Sequence, residues 1–409
     1  MAKPLINITQ RQAILFAIFL LLYEFLTYIA NDMIMPGMIL VVETFHASES
    51  AIANSLMAYL LGGASLQLIL GPLSDRFGRR PVMLWGAVLF FICTIAIACS
   101  HSLEQFMVGR FFQGMGLCFI GVVGYTTIQE IFAEMDAVRF MSVMASVSLV
   151  APLIGPLLGA IFIHFFLWRW IFVVIGFFAL IALWGLCKFM PETVGSVSQY
   201  GEKTNHMVLL PQVIAKNYLA LLHNDVFIKG SLAQGLQILP CIVWIALAPI
   251  ILVKEAKLSY IEYGLWQLPI FGACILGTMS LRMMTYRRTL KELVRIGAWI
   301  VNIGLWGMFI MPLLFGNHYK WLIPGIFVYF FGMGFGGSPL NRLVLFSTSV
   351  MKGTASALIS ILVTLIQVVG LLGANVLYTS HNNLFLSCYC LIIGVLCVVL
   401  VMKLDVKGV

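Results

Sequence analysis

Apolar residues fall in twelve long runs that are separated by short polar segments. The runs cover about residues 12–41, 51–74, 81–101, 103–130, 138–166, 170–190, 225–253, 259–282, 293–315, 320–347, 353–378 and 383–403. An α-helix needs about 20 apolar residues to cross the hydrocarbon core of a bilayer. The pattern therefore predicts an all-α integral membrane protein with twelve transmembrane helices.

The longest polar stretch, 191–224, divides the runs six and six. We expect an N-terminal six-helix bundle over 1–190, a cytoplasmic linker over 191–224 and a C-terminal six-helix bundle over 225–409. Short matches support a parallel repeat, as found in secondary transporters. GRRP at 78–81 matches YRRT at 286–289, and FFQGMG at 111–116 matches YFFGMG at 329–334. The alternative is a chance recurrence of glycine and aromatic residues in apolar helices.

The composition excludes a soluble globular protein. Hydrophobic residues make up 61% of the chain and charged residues 10%, against about 25% charged residues in a soluble domain. The net charge of +8 would suggest nucleic-acid binding in a soluble protein. With the N-terminus inside, however, 19 of the 24 Lys and Arg residues lie on the cytoplasmic side and four on the outer side. This asymmetry predicts that both termini are cytoplasmic, with the lipid bilayer and no nucleic acid as a partner.

Cysteine and histidine provide no sign of a metal centre or an enzyme. The nine cysteines lie in or beside apolar runs and form no CxxC pair. The seven histidines are scattered without metal-ligand spacing, and the chain has no G-x-S-x-G sequence. We expect buried structural cysteines, no metal, no bound cofactor and no enzymatic activity.

Two acidic residues, Glu24 and Asp32, lie inside the first apolar run. They are about 12 Å apart along a helix and their directions differ by about 80°, so both can face one cavity. Tyr28 and Asn31 lie between them on the same side. Burial favours the neutral form of a carboxyl group and a nearby cation favours the charged form. A balance between the two predicts a proton-binding pair, the alternative being acids that only cap polar packing between helices.

Arg110 is a basic residue inside the fourth run, and Gln113 follows it one helical turn later. An unpaired guanidinium at this depth is costly, so we expect acidic or backbone partners and an influence on the first-span acids. The alternative is that the side chain extends towards the outer interface.

Two motifs combine glycine with proline. GPLSDRFGRR, from Gly71 to Arg80, links the second and third runs as a loop. APLIGPLLG, over 151–159, lies within the fifth run. Its prolines remove helical hydrogen bonds and kink the helix, while its glycines allow another helix to approach closely. A helix with these properties suits a gate.

These motifs resemble those of drug/proton antiporters of the major facilitator superfamily. The resemblance rests on the 71–80 loop, on RFFQG from Arg110 to Gly114, on the 151–159 segment and on YEFLTYIANDMIMPGM at 23–38. It implies a twelve-helix bundle with a central cavity between two halves in the bacterial inner membrane. It also implies a monomer that exports lipophilic cationic or neutral drugs by alternating access, driven by the proton gradient.

The resemblance also implies roles for individual residues. Glu24 and Asp32 would bind protons and cationic substrate, and Arg110 would act with them. The residues expected in the substrate pocket are Tyr28, Asn31, Gln113, Met144 and Ser148. The residues expected to gate the cycle are Gly71, Asp75, Gly78, Arg79, Glu130, Pro152, Gly155, Pro156 and Gly159. Leu56 and Ser148 depart from the family, which has methionine and alanine there.

Two other functions fit the sequence. A dedicated proton-coupled exporter or importer of one metabolite, such as a siderophore, would have the same fold and acids. A channel would lack coupling, and the two gating motifs favour alternating access instead.

Overall fold

The structure, a computed structural model, describes residues 6, 8–132, 134–194, 211–284, 287–348, 350, 352–378 and 382–404. Within its helices, side chains are described except at positions 72, 75, 134–139, 141–143, 145–149, 211–215, 282, 352 and 353. The chain divides into two compact units, Met1–Leu210 and Pro211–Val409.

The first unit contains the first six predicted spans. Its helices are α1 (Gln10–Asp32), α2 (Met38–Thr44), α3 (Ser50–Ser65), α4 (Gln67–Phe77), α5 (Arg79–Ala98), α6 (Leu103–Gly114), α7 (Gly116–Cys118), α8 (Tyr125–Ile131), α9 (Glu134–Phe165) and α10 (Arg169–Phe189). The first span comprises α1 and α2, the second α3 and α4, the third α5, the fourth α6 to α8, the fifth α9 and the sixth α10. A π-helical turn, Phe119–Gly124, joins α7 to α8.

The second unit contains the remaining six predicted spans. Its helices are α11 (Pro211–Leu222), α12 (Asp225–Pro249), α13 (Tyr260–Met284), α14 (Leu290–Phe315), α15 (Ile323–Phe346), α16 (Lys352–Leu377) and α17 (Asn383–Met402). The seventh to twelfth spans are α12 to α17. Helix α11 lies within segment 191–224, so this polar segment is not all loop.

The helices have the length and composition that a membrane requires. Among the described residues, eleven helical segments are long and apolar enough to cross a bilayer, and Val150–Phe165 within α9 is a shorter apolar helix. Each of the twelve predicted runs corresponds to one of these helices. The prediction of an all-α multi-span fold is confirmed.

The connection between the second and third spans differs from the loop predicted for residues 71–80. Helix α4 continues to Phe77 and α5 begins at Arg79, which leaves only Gly78 outside the two helices. Gly78 has a φ of 101°, in the region that favours glycine, and its N–H donates to the carbonyl of Ser74. One residue therefore reverses the chain.

Glycines bring the second and fourth spans into backbone contact. A Cβ added at Gly62 would overlap the carbonyl oxygen of Phe111, and one added at Gly114 would overlap that of Tyr59. Only glycine permits this approach on both helices.

The second unit repeats these contacts between the eighth and tenth spans. A Cβ added at Gly277 would overlap the carbonyl oxygen of Phe331, and one at Gly334 that of Cys274. Gly114 thus corresponds to Gly334, and Phe111 to Phe331. The repeat is present, but its register differs by two residues from the match of FFQGMG with YFFGMG.

Candidate functional site

Arg110 lies at the centre of a buried polar network in the first unit and has no solvent exposure. Its Nη1 donates to the backbone carbonyl of Ala30 at 3.2 Å and to Oε1 of Gln113 at 2.8 Å. Its Nη2 donates to Oδ1 of Asn31 at 2.6 Å, and its Nε to the hydroxyl of Ser55 at 3.3 Å. The side chain therefore does not extend to the outer interface.

The partners of Arg110 are all neutral. The guanidinium lies over the ring of Tyr59, 4.5 Å from the ring centre, which adds a cation–π contact. Four of its five N–H donors are occupied by amide, hydroxyl and carbonyl oxygens. None of the described carboxylates is within ion-pair distance of Arg110. Within the part of the chain that the structure describes, the guanidinium is thus held by dipoles and not by a direct ion pair.

Asn31 links Arg110 to Asp32. Its Nδ2 donates to Oδ1 of Asp32 at 3.2 Å, while its Oδ1 accepts from Arg110. Asp32 is 7% exposed. The amide therefore lies between the guanidinium and the carboxyl group, which are joined through Asn31 and not by a direct ion pair.

Gln113 is used to hold Arg110. Its Oε1 accepts from Arg110, and its Nε2 donates to the hydroxyl of Thr94 at 2.9 Å. Thr94 in turn donates to the carbonyl of Phe90 at 2.6 Å. Both ends of this amide have a protein partner, so Gln113 supports the network from the side of the third span.

Glu24 lies about two helical turns before Asp32 and is fully buried. Its Oε1 accepts from the hydroxyl of Tyr125 at 2.7 Å, and its Oε2 has no hydrogen-bond partner among the described residues. The fourth span therefore holds one oxygen of the carboxyl group, while the other oxygen receives no hydrogen bond from the described residues.

The fifth span packs directly against Asp32. A Cβ added at Gly155 would be 2.8 Å from Cβ of Asp32 and 3.2 Å from Cδ1 of Ile29. At Gly159 it would overlap the carbonyl oxygen of Met33. Helix α9 contains Pro152 and Pro156 and runs through both. The small residues of the 151–159 motif thus bring the fifth span against the turn that carries Asp32.

The remaining residues expected in the pocket are placed less completely. Tyr28 is half-buried, and Met144 is buried with 3% exposure. The side chain of Ser148 lies outside the described residues. The roles of these three side chains in substrate binding stay predictions.

A second network ties the start of α5 to the ends of the fourth and sixth spans. Nη2 of Arg79 is 3.1 Å from Oε1 of Glu130, and its Nη1 donates to the hydroxyl of Ser74. Thr193 donates from its hydroxyl to the other oxygen of Glu130. Of the predicted gating residues, the structure brings Arg79 and Glu130 together. The side chain of Asp75 lies outside the described residues, and Gly71 lies within α4.

Glu192 completes this second network at the N-terminus of α5. Its Oε1 accepts from the backbone N–H of Arg79 at 2.9 Å, and its Oε2 from that of Arg80 at 3.1 Å. A carboxylate at a helix N-terminus satisfies free N–H groups and the helix dipole. A Cβ added at Gly78 would overlap Oε2 of Glu192, so glycine is needed here also for space.

Sequence reasoning missed several members of both networks. In the Arg110 network these are Ser55, Tyr59 and Thr94, and in the other network Ser74, Glu192 and Thr193. Tyr125, the partner of Glu24, was missed as well. One signal was present: Ser55 and Tyr59 are four residues apart, on one face of the second span. Another was the acid at 192, which closely follows the sixth span on the side with the basic 71–80 motif.

The comparison with known proteins decides the family. A family model described as Major Facilitator Superfamily matches residues 20–374. The chain belongs to the major facilitator superfamily. It is accordingly a multi-pass transporter of the bacterial inner membrane and not an enzyme, as the sequence predicted.

Relatives in other bacteria match along nearly the whole chain. The protein named multidrug transporter MdfA in Escherichia coli O157:H7 is 43% identical over 386 residues, covering 94% of this chain and 92% of the relative. The MdfA of Yersinia pestis (strain D106004) is 43% identical over 392 residues, covering 96% and 94%. Among solved structures, the xylose transporter XylE from E. coli superimposes with a TM-score of 0.72 at 17% identity, covering 96% of this chain and 98% of XylE. XylE supports the fold alone.

Proposed function

We propose that this chain is a proton-coupled antiporter that exports lipophilic cationic or neutral drugs from the cytoplasm by alternating access. Relatives at 43% identity bear the name multidrug transporter, which supports the substrate class. The buried acids of the first span support proton coupling, since both lie in a helix long and apolar enough to cross the membrane.

The observation that carries the proposal is that, among the side chains the structure describes, neither acid forms an ion pair. Arg110 is bound to neutral groups, and Asn31 stands between it and Asp32. Glu24 contacts a neutral hydroxyl and has one unpartnered oxygen among the described residues. Two ionised carboxylates in such surroundings are costly, and a proton or a cationic substrate removes that cost. Protons and cationic drugs therefore compete for one site.

Competition at one site gives antiport if the two access states bind protons and drug with different affinity. Open to the outside, the acids load protons and release the drug. Open to the cytoplasm, they release protons and bind the drug. In this scheme the pair formed by Arg79 and Glu130, with Glu192 at the helix start, stabilises one access state. A neutral drug binds to the same region through polar and apolar contacts. The inward movement of protons still drives the cycle in this case.

Exchange in proteoliposomes tests the proposal. A proton gradient should drive transport of tetraphenylphosphonium and of several unrelated drugs by the intact protein. Asp32→Asn should abolish this transport while the protein stays folded and inserted. Asp225→Asn, which changes an exposed acid bound to Lys229 in the second unit, should leave it unchanged.

Three results would contradict the proposal. Normal antiport by Asp32→Asn would remove the acid from the mechanism. Exchange of a single metabolite and of no drug would indicate a dedicated transporter. Ionic conductance without coupling to protons would indicate a channel.

A further inference from the structure

Tyr125 follows directly on a widened turn of the fourth span. Over Phe119–Gly124 the helix is π-helical, and the backbone N–H of Tyr125 donates to the carbonyl of Ile120, five residues earlier. A π-turn holds one residue more than an α-helical turn, so it rotates the following helix by about 100° relative to an unbroken α-helix. The direction in which Tyr125 points is therefore set by this turn.

The packing around the turn explains how it is accommodated. Gly124 faces the first span, where an added Cβ would be 2.9 Å from Cδ1 of Leu20. Gly121 is exposed, and an added Cβ there would have no neighbour within 4 Å. The turn thus presses against the first span on one side and is open on the other. This close approach lets the hydroxyl of Tyr125 reach Oε1 of Glu24, one turn away from Leu20.

Among the described residues few other ionisable groups lie near Glu24, and Asp32 follows it by about two turns on the same helix. Tyr28 follows it by one turn on the same helix, and Tyr23 precedes it, with a buried hydroxyl that has no partner among the described residues. The charged residues of the sixth span, Arg169 and Lys188, lie at its two ends. In the fifth span, the side chains at 134–139, 141–143 and 145–149 lie outside the described residues. Arg110 is engaged one side chain away from Asp32.

We infer that Tyr125 is a positioning residue for the proton site at Glu24, and that the π-helical turn Phe119–Gly124 presents it there. The inference rests on the proposed function, in which Glu24 exchanges protons. A hydroxyl that donates to a carboxylate favours the ionised form, and here it is the one donor that the described residues give to Glu24. Tyr125 therefore sets the pH at which Glu24 releases its proton.

Infrared spectroscopy of the full-length protein in lipid tests this without any substrate. The carbonyl band of protonated Glu24 is identified as the band that Glu24→Gln lacks, and its intensity is followed against pH. Tyr125→Phe should move the midpoint of this titration upward by about one to two pH units, because the ionised carboxylate loses a charge-assisted hydrogen bond. Tyr23→Phe removes a buried hydroxyl without such a bond and should leave the midpoint in place.

A transport measurement separates positioning from a merely structural role. The pH profile of tetraphenylphosphonium uptake should shift in the same direction with Tyr125→Phe. In a Glu24→Gln background, Tyr125→Phe should produce no further shift, because the acid on which it acts is gone. Thermal unfolding of each purified variant checks that the fold is retained.

The outcomes distinguish the inference from the proposed function. If the Glu24 band titrates but has the same midpoint in Tyr125→Phe and in the unmodified protein, the inference is wrong and proton coupling stands. The same holds if Tyr23→Phe shifts the midpoint equally. If no Glu24 band titrates over the range in which the protein is folded, both the inference and the assignment of Glu24 as a proton site fail.

Discussion

The crossing of the second and fourth spans and the crossing of the eighth and tenth spans use the same backbone contacts around different side chains. In each unit, two glycines pack against carbonyl groups of the facing helix. The first crossing contains Ser55, Tyr59, Arg110 and Gln113. The corresponding positions of the second crossing are Ile270, Cys274, Phe330 and Met333.

The difference separates what packs the helices from what performs chemistry. Phe330 is buried and packs edge-on against Phe271, with ring centres 5.1 Å apart. An apolar crossing is thus sufficient for the packing. The guanidinium, amide and hydroxyls of the first crossing are costly to bury. The proposed function gives a reason to bury them, since Asn31 connects Arg110 to Asp32.

The largest difference should appear when Arg110 and Phe330, which occupy corresponding positions, are each replaced by methionine in separate variants. Arg110→Met leaves the oxygens of Asn31, Gln113 and Ala30 without their donor, and it removes the positive charge near Asp32. We expect transport below about a tenth of the unmodified level. Phe330→Met should keep more than about half, since the volume changes little and no polar group loses a partner. Uptake assays at matched protein levels measure this. An equal loss of transport in the two variants would show that the two crossings do not differ in function.

The shared backbone contacts predict that equivalent substitutions in the two units lower the free energy of unfolding equally. Gly114→Ala and Gly334→Ala each place a methyl group against a carbonyl of the facing helix. Each should lower the free energy of unfolding by about 1–3 kcal/mol, since a rigid backbone cannot yield easily. Gly337→Ala is the control, because its Cβ would have no neighbour within 4 Å. Denaturation of the purified variants measures this, and an effect confined to one unit would show that the crossings are not equivalent.

A polar group of the second unit offers a contrast in role. The hydroxyl of Tyr329 accepts from the backbone N–H of Cys241 at 3.0 Å and donates to the carbonyl of Gln237 at 2.7 Å, next to Pro240. Tyr329→Phe should lower the free energy of unfolding by about 1–2 kcal/mol, because it removes the two hydrogen bonds between the tenth span and the backbone of the seventh span. The pH profile of transport should not move. A shift of that profile would bring the second unit into the proton chemistry.

The smallest effects are expected at the N-termini of α5 and α14, which form the third and ninth spans. Helix α5 begins with its N–H groups bound to the distant Glu192, whereas α14 has a local capping box formed by Thr289 and Glu292. Thr289→Ala should cost about 1 kcal/mol and leave the transport rate per folded molecule unchanged. Glu192→Gln should have a similar cost but also change that rate, since Glu192 ties the third span to the end of the sixth. Unchanged turnover in Glu192→Gln would limit this contact to stability.

Much of the fold follows from sequence because membrane helices have a strong signal. Each of the twelve apolar runs corresponds to a helix, with ends that differ by a few residues. Glu24, Asp32 and Arg110 were identified for the same reason, since charges are rare in apolar segments. Segment 71–80 was predicted to link the two spans through a turn that glycine permits, and the structure limits this link to Gly78. The sequence pattern did not show that the distant Glu192 accepts from the N–H groups of Arg79 and Arg80.

The partners of the charges could not be predicted from the sequence. Hydroxyl residues such as Ser55, Thr94 and Tyr125 are common in membrane helices, where they also satisfy their own backbone. Whether one of them faces Arg110 or Glu24 depends on helix packing and, for Tyr125, on a π-turn without a sequence signature that we could recognise. The two-residue difference in the register of the repeat has a similar origin, since short glycine–aromatic strings align in more than one way.

Proton release on addition of drug tests most directly the claim that the charge chemistry lies in the first unit. Purified protein in weakly buffered solution is mixed with tetraphenylphosphonium, and the released protons are counted with a pH indicator. The intact protein and an Asp225→Asn/Glu262→Gln variant, which lacks two exposed acids of the second unit, should release protons equally. Glu24→Gln/Asp32→Asn should release none. Proton release by Glu24→Gln/Asp32→Asn would contradict the account. Loss of proton release in Asp225→Asn/Glu262→Gln would contradict it as well.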